Sequence, residues 1–476
     1  MRTDTRFYIN GEWTEPAEPN LHPVVNPSNE EVIAQVHLSS EEETERAIQS
    51  ARNALDAWMY RPPEERIGFL EKLLDIYKSR AGEMGQTISE EMGTPISMSN
   101  ALQAGIGIQH LTAFIQEAKD FSFEGPYNPD HPESYIVKEA AGVVGLITPW
   151  NLPMNQITLK VGAAAIAGCT MVLKPSEESP LSAILFAEMI DEAGFPAGVF
   201  NLVNGTGAVV GNYMSGHSDI DLISFTGSTR AGREIVKNSV GNLKRVHLEL
   251  GGKGANLVFA DADEKAVARG VQRLMLLSGQ MCNAPSRMLV EKNYYNRAIE
   301  IAEQTAEAVA VDLASQEGRH IGPVVNARQF EAIQGLIQSG IDEGARLLAG
   351  GVGRADGMNS GYFVRPTIFA DVTPEMRIYR EEIFGPVLTI SSFEDEVDGI
   401  QKANDTVYGL TNYVQTQDTE KRRRVARRLR SGMVDMNGAN RAPGMPFGGM
   451  KQSGNGREGG RYGIEDFLEV KAIAGW

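Results

Sequence analysis

Cysteine is almost missing from this 476-residue chain, which has only Cys169 and Cys282. Two cysteines exclude a disulfide framework, and neither stands at metal-ligand spacing. The seven histidines are scattered, so no zinc-like cluster is expected. Positive charge is in deficit: the formal net charge of −17 argues against nucleic acid or an anionic membrane surface as partner, since both reward basic surfaces. Long apolar runs are lacking too. The longest, Val161 to Leu173, is interrupted by glycines and too short to span a bilayer. After Met1-Arg2-Thr3-Asp4-Thr5-Arg6 comes no apolar stretch suited to a signal peptide. A reducing, cytoplasmic setting is expected, where a free thiol stays reactive.

What is present is a globular balance, 42% hydrophobic and 22% charged, in a length that favours two or more domains. Phe7 to Trp13 reads as short strands around an Asn10-Gly11 turn. Ser40-Glu41-Glu42-Glu43 is a capping box ahead of Ala47, Ala51, Leu55 and Trp58, spaced three and four apart. Arg66 to Leu74, then Ile88 and Met92, continue the helical texture. From about residue 141 strands and helices alternate. Gly142–Ile147, Met171–Leu173, Phe200–Val203 and Leu222–Phe225 read as strands, with helices over Val161–Gly168 and Ser182–Ala193. Such alternation predicts βαβ units and a parallel sheet that binds nucleotides at its carboxyl edge. A second α/β region starts near Gly252, with strands at Ala255–Phe259 and Arg287–Val290. The tail, Asp466 to Lys471, reads as a terminal strand able to pair with another subunit.

Several short segments carry chemistry. Gly205-Thr206-Gly207-Ala208-Val209-Val210-Gly211 approaches a dinucleotide fingerprint but is one residue too long in its last spacing. Phe225-Thr226-Gly227-Ser228-Thr229 joins a strand to a helix, where backbone amides suit a pyrophosphate; an ordinary N-cap explains it equally well. Lys174-Pro175-Ser176-Glu177 closes a strand, and a glutamate there accepts hydrogen bonds from ribose hydroxyls and repels a 2′-phosphate. Asn151, in Trp150-Asn151-Leu152-Pro153, offers an amide to a developing oxyanion. Cys282 sits among Gly279, Gln280 and Asn283, a more polar setting than a buried structural thiol requires. Glu249, between Leu248 and Leu250, points to the opposite face from its apolar neighbours and is a plausible base.

In this order, the segments resemble the NAD(P)-dependent aldehyde dehydrogenase superfamily. The likeness runs from Tyr8-Ile9-Asn10-Gly11-Glu12-Trp13 to Glu469-Val470-Lys471. It takes in Thr148-Pro149-Trp150-Asn151, Leu248-Glu249-Leu250-Gly251-Gly252-Lys253, Glu381-Glu382-Ile383-Phe384-Gly385-Pro386-Val387 and Pro446 to Gly454. The resemblance implies an aldehyde oxidised to a carboxylic acid. Cys282 is then the nucleophile, Asn151 the oxyanion donor, Glu249 the base that activates water, and Glu458 a second carboxylate that relays protons. Implied cofactor contacts are Thr148, Trp150, Lys174, Glu177, Gly207, Phe225, Gly227, Ser228, Leu250, Glu382 and Phe384. The expected cofactor is NAD, with NADP use known among relatives that carry this glutamate. Leu152, Gln156, Met281, Asn283, Arg441 and Phe447 match positions along the aldehyde tunnel. Arg441 suits the far carboxylate of a semialdehyde acid, or a surface or subunit contact.

The fold implied is α/β in three parts. These are a Rossmann-like cofactor domain (1–121 and 141–251), a catalytic α/β domain (252–452) and a small β flap (122–140 and 453–476) used for dimers or tetramers. Two other functions compete. A CoA-acylating semialdehyde dehydrogenase generally lacks the glutamate present as Glu249, and a non-catalytic member typically loses the cysteine or the asparagine.

Overall fold

The computed structural model describes residues 2–3 and 6–476. Its first large sheet has eight strands, in the spatial order Gly454–Asn455, Arg245–Glu249, Leu222–Thr226, Val143–Ile147, Thr170–Lys174, Phe200–Leu202, Phe7–Ile9 and Glu12–Thr14. The five central strands are parallel; the outer ones join antiparallel. From Val143–Ile147 the chain adds two strands on one side, then crosses back and adds two on the other. The order therefore reverses between Val143–Ile147 and Leu222–Thr226, which opens a crevice beyond the carboxyl ends of those strands.

Local rules explain the elements around this sheet. The turn at Asn10-Gly11 has φ of 56° and 76°, as a two-residue hairpin demands. The capping box forms: the Ser40 N–H donates to Glu43 Oε2 at 2.8 Å, and Ser40 Oγ accepts from the Glu42 N–H at 3.2 Å. Helices Pro153–Ala167 and Pro180–Ala193 begin earlier than apolar periodicity predicts. Proline is favoured at a first helical position, where its missing N–H has no partner to lose. Gly168 and Gly194 end both helices in the left-handed region.

The second large sheet has seven strands, in the order Arg346–Ala349, Thr367–Ala370, Val387–Phe393, Arg287–Glu291, Ala255–Val258, Thr411–Gln415 and Met433–Met436. All but the first run parallel. A three-stranded antiparallel sheet joins Leu468–Ala474, His131–Ala140 and Glu124–Asn128.

The terminal strand pairs along its length with His131–Ala140 of its own chain. One expectation changes here: the stretch 453–476 does not form one flap. Gly454–Asn455 belongs to the first sheet, and Gly460–Asp466 is a helix against helices Gly105–Lys119 and Pro153–Ala167. Backbone closeness ties Gly454 to the first sheet, since a Cβ there would lie 1.9 Å from the Leu248 carbonyl oxygen. Among the described residues no helix is long and apolar enough to cross a membrane.

Candidate active site

Cys282 follows an unusual turn. Leu277, Ser278 and Gly279 have φ of 50°, 55° and 75° in succession. Such backbone persists only where its surroundings hold it. Ser278 Oγ donates to the Gly322 carbonyl at 2.6 Å; Gln280 Nε2 donates to the Leu277 carbonyl, and Gln280 Oε1 accepts from the Val325 N–H, both at 3.0 Å. Position 279 admits only glycine, because a Cβ would lie 2.0 Å from the Gly385 carbonyl oxygen. The turn leaves Cys282 partly exposed, whereas Cys169 is buried and donates its thiol to the Phe467 carbonyl at 3.3 Å.

Asn151 reaches this turn from the crevice of the first sheet. Its Nδ2 donates to the Gln280 carbonyl at 2.8 Å, two residues from Cys282. Its own carbonyl accepts from Gln103 Nε2 at 3.1 Å, on the π-helical turn Ser99–Ala104. Such π turns recur at functional sites. Glu382 closes another side: its Oε1 accepts the Gly252 N–H at 2.9 Å. A Cβ at Gly252 would lie 2.4 Å from the Cys282 carbonyl oxygen, and one at Gly251 2.0 Å from Glu382 Oε2. Trp150 meets Phe384 edge-on, with ring centroids 5.5 Å apart.

Glu249 ends the strand Arg245–Glu249 with its carboxyl buried, and neither oxygen has a hydrogen-bond partner among the described residues. Nearby, Glu458 Oε1 accepts from Lys160 Nζ, which also donates to Ser224 Oγ at 3.0 Å, while Glu458 Oε2 has no partner. Phe447 and Glu458 exchange backbone hydrogen bonds, both 2.8 Å. Burial pushes the Glu249 carboxyl well above the carboxylate range and Glu458 adds to this, against Lys160 and Arg457. Burial also pushes the Cys282 thiol far up, helped by Glu382, Glu249 and Glu458 and opposed by Arg441. Both shifts favour the uncharged form. A positive charge brought alongside favours their ionised forms. Glu382 is pushed up to about 7 by burial, opposed by the Gly252 N–H and Lys253.

The remaining cofactor candidates are strung along the carboxyl edge of the first sheet. Lys174 is buried, with Nζ donating to the carbonyls of Pro175 (2.7 Å) and Gly205 (2.6 Å) and standing 3.6 Å from Glu177. Its charge is committed to the fold, and Glu177 beside it keeps part of its carboxylate in solvent. Gly207 opens the π-helical turn Gly207–Gly211, capped by Thr206; this turn explains the extra residue in the glycine spacing. Ser228 is the N-cap of helix Thr229–Asn238, accepting from the Ala231 N–H at 3.2 Å. Thr148 donates its N–H to the Lys174 carbonyl at 3.1 Å. Phe225 and Leu250 are buried, and a Cβ at Gly227 would lie 2.4 Å from the Phe225 ring. A partly exposed carboxylate at a strand end and a helix N-terminus capped by Ser228 fit a dinucleotide's ribose and pyrophosphate.

Of the tunnel candidates, Leu152 and Met281 pack on the apolar cluster of the second sheet. Gln156 is buried with Oε1 unpartnered, and the Asn283 carbonyl accepts from Tyr413 Oη at 2.5 Å. Arg441 lies over Phe447, 5.3 Å from its ring centroid, with Nε 3.2 Å from Asp435. Three participants escape a reading of motifs: Lys160, Ser224 and Gln103. Lys160 had one signal, as the sole charge in the apolar helix Pro153–Ala167.

A family model described as "Aldehyde dehydrogenase family" matches residues 13–473. The chain is 46% identical over 478 residues to a 3-succinoylsemialdehyde-pyridine dehydrogenase of a Pseudomonas species, covering 100% of this chain and 99% of that one. Among solved structures, an aldehyde dehydrogenase from Bartonella henselae superposes with a TM-score of 0.99 at 54% identity, covering 100% of both chains. A cysteine-to-alanine variant of aldehyde dehydrogenase C from Pseudomonas syringae, in complex with NAD+ and octanal, gives 0.97 at 44% identity, covering 100% and 98%.

Proposed function

The chain belongs to the aldehyde dehydrogenase family, and we propose that it oxidises a semialdehyde to the carboxylic acid with NAD+, through a thioester on Cys282 that water hydrolyses. The relative named for 3-succinoylsemialdehyde-pyridine supports the substrate class, and relatives crystallised with NAD+ support the cofactor. One observation carries the hydrolytic step: the buried carboxyl of Glu249, unpartnered at both oxygens, in the site that holds Cys282.

Bound NAD+ supplies the hydride acceptor and a positive charge beside the site. Cys282 passes its proton to bulk water, and its thiolate sulfur attacks the aldehyde carbon. One amide hydrogen of Asn151 Nδ2 is held by the Gln280 carbonyl, which leaves the other for the oxyanion beside the Cys282 N–H. Collapse of that oxyanion expels hydride and leaves the thioester on sulfur. Glu249 then takes a proton from the attacking water, and the acid departs. Glu177, Ser228 and Glu382 are the groups we assign to hold the cofactor.

The assignment extends to a cytoplasmic homo-oligomer, a dimer or tetramer. The unpaired outer edge of Leu468–Ala474, with Val470 exposed, supports it. The domain division drawn from the sequence is kept as part of the same proposal for the two parallel sheets.

Glu249→Gln tests the reading. It should give a normal first burst of NADH, then turn over roughly 10²-fold or more slowly, the usual contribution of a positioned base. Following NADH with and without CoA separates hydrolysis from acyl transfer. Normal steady-state turnover by this variant would remove Glu249 from the role.

A further inference from the structure

Glu249 and Glu458 share an enclosed cavity of about 10 Å³, roughly the room one water needs. Ser224, His247, Asn455, Arg457 and Asp466 complete its polar wall. Three carboxyl oxygens around it lack a hydrogen-bond partner among the described residues, both of Glu249 and Oε2 of Glu458. Asp466 Oδ2 accepts the Arg457 N–H at 2.5 Å and lies 3.5 Å from His247 Nδ1. The Asp466 side chain is 26% exposed and that of His247 17%, whereas Glu249 is 4% exposed. The cavity therefore connects a sealed acid to a pair that meets solvent.

We propose that Asp466, oriented by His247, is the outlet through which the proton collected by Glu249 leaves the protein. The inference rests on Glu249 being the base. In each hydrolysis the water oxygen bonds to the acyl carbon, the C–S bond breaks with its electron pair going to Cys282 sulfur, and one water proton goes to Glu249. That proton passes through a water in the cavity, beside Glu458, to the Asp466 carboxylate and then to bulk water. No electron changes hands, and Glu249 is an ionised base again for the next cycle.

The surrounding charges suit this path. Burial raises the Glu249 carboxyl, so a proton taken from water leaves slowly unless an outlet receives it. Asp466 is pushed up to about 6 by burial, with Glu458 adding and the Arg457 N–H and Arg245 opposing, so it accepts and releases near neutrality. His247 is pushed down to about 4 by burial, with Arg245 and Lys160 adding, and stays neutral while it orients its partner. The groups facing the pair are Arg245 and Glu249 on its own strand, Lys160 on helix Pro153–Ala167, and Arg457 and Glu458 on the loop. His110 on helix Gly105–Lys119 feels Glu458.

Asp466→Asn keeps an acceptor for the Arg457 N–H and removes the proton site. It should leave the NADH burst unchanged while acyl-enzyme decay, followed by rapid quench, slows by roughly a hundredfold at pH 7, the low end for a positioned proton-transfer group. Imidazole buffer should restore decay, and Asp466→Glu should recover it. In the parent enzyme decay should fall as pH drops through 6, where Asp466 fills with a proton; in Asp466→Asn that limb should vanish. Wild-type decay in Asp466→Asn, or a loss that spares neither burst nor decay and ignores imidazole, overturns the outlet. If Asp466→Asn does not fold, His247→Asn carries the same comparison: burst intact and decay slowed supports the outlet, decay unchanged rejects it. Glu249→Gln separates the two ideas. If it stalls as acyl-enzyme while Asp466→Asn does not, the outlet alone falls; if it turns over normally, the base falls.

Discussion

The two parallel sheets meet at the site from opposite ends. In the first, functional groups leave the carboxyl ends of strands: Asn151 beyond Val143–Ile147, Lys174 closing Thr170–Lys174, Ser228 beyond Leu222–Thr226, and Glu249 closing Arg245–Glu249. In the second they stand ahead of the amino ends: Cys282 before Arg287–Glu291, Glu382 and Phe384 before Val387–Phe393. Phe447 and Gly448 likewise return to the amino end of Met433–Met436, where a Cβ at Gly432 would lie 1.8 Å from the Gly448 carbonyl oxygen. The carboxyl-edge rule for open α/β sheets thus accounts for half the site. Strain follows the same division. Leu277, Ser278 and Phe384 have positive φ on the second side, while the first sheet's crevice loops use none outside glycine. At about 1–3 kcal/mol for each such residue, the side that carries the sulfur is held in place by its surroundings. The first side offers ordinary caps and turns, suited to binding.

The sharpest way to break this contrast is to remove the sulfur. Cys282→Ala should lower turnover by more than about 10⁴-fold, as loss of a nucleophile does elsewhere, while NAD+ still raises the melting temperature. Cys169→Ala should keep the parent rate and melt slightly lower, since it vacates a small buried space. Loss of NAD+ stabilisation in Cys282→Ala would mean that the two sides are not separable. Next comes Asn151→Ala, which crosses from one sheet to the other. The NADH burst should slow by about 10²–10³-fold, the range for one oxyanion donor. A burst of normal rate would leave Asn151 as a prop for the Gln280 carbonyl only.

The same contrast explains what the sequence made legible. The capping box at Ser40 and Glu43, the Asn10-Gly11 hairpin and the strand-helix alternation rest on neighbours in the chain, so local chemistry reveals them. Ser228 shows the limit of that: it is an N-cap in structure, and both readings of its motif predict one. The chamber around Glu458 joins residues 298 and 64 positions apart, so no spacing announces Lys160 or Ser224. Cys282 was legible as the reactive thiol but not as a thiol pushed up by burial, because the segments that enclose it, with Glu382, Glu249 and Glu458, lie far apart in the chain. The register of the terminal strand on His131–Ala140 likewise is a tertiary fact.

Arg441 gives the smallest expected effect and the finest division of the second side. Its loop leaves the carboxyl end of Met433–Met436 and returns to the amino end, so it spans both edges of that sheet. Arg441 is tied to Asp435, and burial raises the Asp435 carboxyl against the charges of Arg441 and Arg273. Two arginines facing one carboxylate leave positive charge over, which suits the far carboxylate of a semialdehyde acid. Arg441→Ala should therefore raise KM about tenfold for ω-carboxy aldehydes, the roughly 1.4 kcal/mol of one exposed charge-assisted contact. An unsubstituted aldehyde of the same length should keep its KM. Equal losses for both substrates would make Arg441 a brace for its loop through Asp435 and Phe447, and the substrate's far end would then be read elsewhere.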